Sequence, residues 1–125
     1  MREILFRGKT AKGEWIYGFY MNEDVKNIIV DTTCGSLGFG LQVDGETVGQ
    51  YTGLTDKNGN KIFEGDILQG TITSTWNKRL IRCEVVYERD CFISVEKDKW
   101  SHKLCFAKDI EVIGNIHDNK NLLED

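Results

Sequence analysis

Apolar residues in this chain recur mostly at every second position, and that period predicts strands. Ile4 and Phe6, then Trp15, Tyr17 and Phe19, alternate with polar residues on either side of Lys9-Thr10-Ala11-Lys12-Gly13. This is the pattern of a hairpin closed by a glycine-containing loop. Gly18 gives the second arm room for a bulge or a close backbone approach. Asn27 to Val30 predicts another short strand. Met21 to Ile28 is the best helical alternative, but its apolar face is thin. Tyr51–Thr55 and Lys61–Phe63 flank Asp56-Lys57-Asn58-Gly59-Asn60. Asn-Gly is a strong hairpin signal because both residues accept positive φ. Glu64-Gly65-Asp66 then turns the chain into Ile67-Leu68. Further strand segments are Thr71–Thr73, Cys83/Val85/Tyr87, Cys91–Val95 and Ile110/Val112/Ile113. Asp118 is placed to cap a short helix through Leu122-Leu123.

These segments predict an all-β domain over residues 1–125. Residues 1–46 form an N-terminal β-hairpin extension with a variable loop region. Residues 47–125 form an SH3-type small barrel, followed by the short C-terminal helix. Parity puts Trp15, Tyr17 and Phe19 on one sheet face and Tyr20 on the other; the first face is expected to be core. The apolar residues on both parities of the hairpin (Ile4 and Phe6; Leu5) would suit a subunit interface.

The chain has 125 residues, a net charge of −4 and a pI of about 5.2. Non-specific coating of nucleic acid needs a concentrated positive face, which this balance does not advertise. No secretory segment follows Met1, and no apolar run approaches the length of a membrane span. A cytoplasmic location with reduced thiols is therefore expected. Cys34, Cys83, Cys91 and Cys105 are then expected to pack as small buried hydrophobes.

No cofactor, metal or catalytic residue is assigned. Cys34-Gly-Ser-Leu-Gly-Phe-Gly40 lacks the Gly-Lys-Ser/Thr and the following helix of a phosphate cradle. Counted from Asp56, the sixth and twelfth positions of a calcium loop hold Lys61 and Ile67 where glycine and glutamate are required. Asp56, Asn58 and Asp66 read instead as turn and corner residues. Cys83, Cys91, His102 and Cys105 lack the two close pairs that anchor structural zinc. His102 and His117 have no motif that links either to a nucleophile. A metal-dependent or cysteine enzyme is the least supported reading.

The expected contact surface is Trp76, Lys78, Arg79, Arg82 and Trp100, with Tyr51, Asp56 and Asn58. A tryptophan in a polar loop beside basic residues suits protein contacts first and base stacking second. From Lys78 to Lys108 the basic residues outnumber the acidic ones only modestly, so a solvated strand face is the competing reading.

Phe6-Arg-Gly8, Gly13-Glu-Trp-Ile-Tyr-Gly18, Val48-Gly-Gln-Tyr-Thr-Gly-Leu-Thr-Asp-Lys-Asn-Gly59, Ile62-Phe-Glu-Gly-Asp-Ile67 and Glu111-Val-Ile-Gly-Asn-Ile116 together resemble the YopX family. These are small proteins encoded mainly by bacteriophages and prophages. The resemblance implies an SH3-type fold, homo-oligomeric assembly and an accessory role in the cytoplasm of a bacterial host. It supplies no activity, cofactor or catalytic residue. The expected function is a non-enzymatic binding or assembly module with a protein partner or a second copy. Nucleic-acid binding is the alternative.

Overall fold

The computed structural model describes residues 4–23, 25–30, 40–73, 76–88, 91–96, 101–103 and 109–123. Strands dominate, and the chain divides into two compact units, Met1–Gly53 and Leu54–Asp125. The predicted all-β class is what the structure shows, in two antiparallel sheets.

The first unit contains β1 (Phe6–Lys9), β2 (Trp15–Glu23), β3 (Lys26–Val30), β4 (Gly40–Gln42) and the start of β5 (Asp44–Thr55). Hydrogen bonding orders them β4-β3-β2-β1-β5. Thr10 closes the predicted β1–β2 loop. Its N–H donates to the Glu14 carbonyl at 2.9 Å, and its carbonyl accepts the Gly13 N–H at 2.9 Å. Gly13 has φ +85°, a conformation that favours glycine. The β1–β2 register passes Gly18 without a slip; the irregularity lies between Arg7 and Lys9 in the β1–β5 pairing.

The buried face of this sheet is not the one expected. Ile29 is fully buried and Val43 nearly so, while Phe6 packs on Tyr20 with ring centroids 5.6 Å apart. Tyr20 and Ile29 are paired across β2 and β3. The core is therefore on the Tyr20 side, and Tyr17 and Phe19 are exposed on the other. Gly8 serves this core, since a Cβ there would lie 2.8 Å from Val43 Cγ2. The parity rule separated the faces correctly, but β2 is apolar on both, so alternation could not say which one is buried.

The predicted helical alternative over 21–28 is not adopted: β2 runs to Glu23, Val25 lies in a turn and β3 begins at Lys26. Val25 has φ 58°. A β-branched residue is strained in this region.

In the second unit, the end of β5 leads through the Asp56–Asn60 turn into β6 (Lys61–Phe63). The remaining strands are β7 (Asp66–Thr73), β8 (Lys78–Glu88), β9 (Cys91–Glu96), β10 (Ser101–Lys103) and β11 (Glu111–Asn115). They pair in the order β10-β9-β8-β7-β11. Ile62, Leu68, Val85 and Ile110 form the core, with Phe92 and Val112 packed against it. Among the described residues this sheet keeps two ends, and no closed barrel is found. A short 3₁₀ turn, Lys120–Leu123, takes the place of the expected terminal helix. Asp118 precedes this turn. Its carboxylate accepts from the Asn115 side-chain amide at 3.3 Å, and Asn119 supplies the carbonyl that receives the Leu122 N–H at 2.8 Å.

Relieving the strained turn should stabilise the first unit. Val25→Asn is expected to add about 0.5–1 kcal/mol, because asparagine tolerates the left-handed region. A urea midpoint that rises with an unchanged slope is the expected result.

Candidate functional site

Asp56 organises the turn that joins β5 to β6. One carboxylate oxygen accepts the backbone N–H groups of Asn58 and Asn60, each at 2.9 Å. The other accepts the Val112 N–H at 3.0 Å and the Asn60 side-chain amide at 3.3 Å. The Lys57 N–H adds a bond to the Ile110 carbonyl at 3.0 Å. The turn thus covers the outer edge of β11, whose backbone groups would otherwise need water or another strand. Burial alone would push the Asp56 carboxyl up. The N–H groups of Val112, Asn60 and Asn58 and the Asn60 amide outweigh it and hold its pKa below the ordinary value.

Asp66 plays the same part at the next corner, accepting the Phe63 N–H at 2.7 Å. Both aspartates are buried. Tyr51 is 7% exposed, and its N–H donates to the Leu5 carbonyl at 2.7 Å. Asn58 is exposed, and its side-chain amide donates to Glu111 at 3.2 Å.

The basic stretch divides by strand parity. Arg79 shares a face with Ile81 and Cys83 and grips Glu96 with two bonds, at 3.0 and 3.2 Å. Glu96 is buried, and the cross-strand pair Cys83–Glu96 puts the thiol beside it. Burial and the Glu96 carboxylate push the Cys83 thiol up to about 12, against the opposing effects of Ser94 and Arg79. Arg82 points to the other face, donating to Gln69 at 3.0 Å and to the Leu122 carbonyl at 3.2 Å. Lys78 is exposed at the start of β8.

Trp76 is 89% exposed between β7 and β8. Leu80, four residues on from Trp76 in β8, is also exposed. Trp100 lies outside the described residues, as do Cys34 and Cys105. Cys91 was expected to be buried and is exposed; its thiol meets the Glu88 carbonyl at 3.4 Å. Cys83 and Cys91 occupy opposite faces of the β8–β9 ladder, so the two do not converge on one ion. Among the described residues no cluster of histidine, cysteine and carboxylate side chains forms a metal site. No helix among them is long and apolar enough to cross a membrane.

Sequence reasoning missed the exposed aromatic face of β2. Its signal was present in Trp15-Ile-Tyr-Gly-Phe-Tyr-Met21, a strand apolar on both parities.

The YopX protein family matches residues 5–124, nearly the whole chain. The chain belongs to the YopX family. Among solved structures it is similar to protein EF1440 from Enterococcus faecalis, known from a crystal structure. The two are 26% identical, the match covers 99% of this chain and 100% of that one, and the TM-score is 0.62. No curated protein matches the chain.

Two outcomes follow from this geometry. Asp56→Asn would turn an amide donor toward the Val112 N–H or lose the Asn58 and Asn60 bonds, and is expected to cost about 3 kcal/mol near neutral pH. Because the folded-state pKa is depressed, this advantage of the wild type is present above the unfolded-state value. It fades as pH falls through the lower folded-state value. Denaturant titrations of both proteins from neutral to strongly acid pH should converge. Separately, alkylation of native protein followed by peptide mass mapping should label Cys91 and spare Cys83 until denaturant is added.

Proposed function

We propose that this chain is a non-enzymatic binding module that engages a protein partner through the β7–β8 turn. In the biological setting we propose, it is a phage or prophage accessory protein acting in the cytoplasm of a bacterial host. The observation that carries this is Trp76, a large side chain left almost wholly in water. A tryptophan can anchor a contact by filling a pocket on its partner. Leu80 lies exposed on the strand that leaves the same turn. Buried catalytic geometry is not needed for this role. The SH3-type barrel stays part of the proposal as the finer form of the fold, since such barrels act through connections at their rims.

Nucleic-acid binding through the same stretch is less well supported. Arg79 is engaged by Glu96, and Arg82 by Gln69 and Leu122, which turns two of the cations away from a shared phosphate track.

Trp76→Ala should leave stability within about 0.5 kcal/mol of wild type, as expected for an exposed position. Affinity capture from host cells with both proteins in parallel tests the role. A protein retained by the wild type and lost with Trp76→Ala, then confirmed by titration with purified components, is the expected result. Equal retention by both would refute a Trp76-centred contact.

A further inference from the structure

The first residues of β8 sort their side chains by parity. Ile81 and Cys83 are buried, while Lys78, Leu80 and Arg82 are exposed on the opposite face. Side chains two apart on a strand share a face, so these three form a row with a cation on either side of an apolar residue. Across the ladder β7 supplies Thr73, Thr71 and Gln69, all neutral. From Gln69 to Cys83 the chain carries three cations and no carboxylate, although its net charge is −4.

The two cations of the row differ from Arg79, whose charge is offset by Glu96 on the other face. Arg82 donates to neutral oxygens, the Gln69 side-chain amide at 3.0 Å and the Leu122 carbonyl at 3.2 Å. These bonds hold the guanidinium in place without offsetting its charge, and the Leu122 carbonyl is already a chain oxygen seated on it. Lys78 makes no ion pair among the described residues. Two carboxylates bound the row. Asp109 lies across β7 and accepts the N–H and hydroxyl of Thr71, each at 2.9 Å. Glu84 is the next residue of the row, with Lys120 and Glu64 acting on its charge.

We infer, building on the protein-binding role of the β7–β8 turn, that the partner presents an acidic segment laid in extended form over this row. Lys78 and Arg82 are four strand residues apart, roughly 13 Å. An extended chain repeats at the same period. Its first and fifth side chains, both carboxylates, reach the two cations, and its third, an apolar one, meets Leu80. Trp76, two residues before the row, is the bulky anchor. Glu84 selects against a carboxylate at the seventh position, where like charges would face each other. A phosphodiester backbone does not match this row, because it carries a charge on every unit and would set one against Leu80.

Fluorescence anisotropy of two labelled heptapeptides, titrated with the full chain, tests this. One reads Thr-Glu-Thr-Leu-Thr-Glu-Thr, and the other has lysine at both glutamate positions. The acidic peptide is expected to bind, less tightly as salt rises, and the basic one at least about tenfold more weakly. Lys78→Glu combined with Arg82→Glu should reverse that preference, while Lys78→Arg combined with Arg82→Lys should keep it. Should the Arg82→Glu variant fail to fold, Lys78→Glu alone is expected to weaken the acidic peptide about threefold. Equal binding of the two peptides, or no binding of the acidic one, would overturn the inference. So would tighter binding of a single-stranded oligothymidylate than of the acidic peptide. A protein captured through Trp76 whose affinity ignores both charge reversals would overturn the acidic segment and leave the protein-binding role standing. A preference for the acidic peptide that survives Trp76→Ala would support the acidic segment and remove Trp76 as its anchor.

Discussion

The carboxylate of Asp56 is the point on which the second unit depends. A turn and a sheet edge both present backbone N–H groups that must find acceptors, and one buried side chain serves both. It accepts from Asn58 and Asn60 within the turn and from Val112 across to β11, which is distant in sequence. A local motif therefore fixes a long-range register. Few residues could replace it: the position requires an acceptor with two oxygens, short enough to fold back on its own backbone. Because the carboxylate is charged and its partners are oriented donors, the arrangement favours the ionised form despite burial.

Glycine and asparagine do related work elsewhere. Gly8 allows Val43 to approach β1. Gly114 lies where a Cβ would meet the Asn119 side chain at 2.7 Å. Asn115 and Asn119 then exchange bonds that bring the 3₁₀ turn onto β8, where Arg82 receives it. Small residues let the backbone come close, and short polar side chains satisfy the groups that the close approach would leave buried.

What could be read in the sequence was the chemistry confined to a few neighbouring residues. The Asn58-Gly59 turn, the Gly65-Asp66 corner and the Thr10–Gly13 loop are set by local conformational preference, and each lies where expected. What was hidden depended on distant partners. Tyr51 looked available for contact but is buried, because alternation cannot identify the core-facing side when both sides are apolar. The same ambiguity concealed the outward face of β2. Arg79 and Arg82 looked like one basic patch, although Arg79 shares the parity of Ile81 and Cys83; that signal was available in the sequence. The barrel expectation counted strands correctly in kind, but closure depends on pairing between ends that no local pattern specifies.

The unequal placement of the two described thiols has a practical side. Cys91 meets solvent, so air can join two molecules through it, whereas Cys83 is sealed beneath Glu96 and Arg79. A covalent doublet that forms on storage through Cys91 would be a product of handling and would dissolve on reduction. Any native pairing of molecules must therefore be weighed with reductant present.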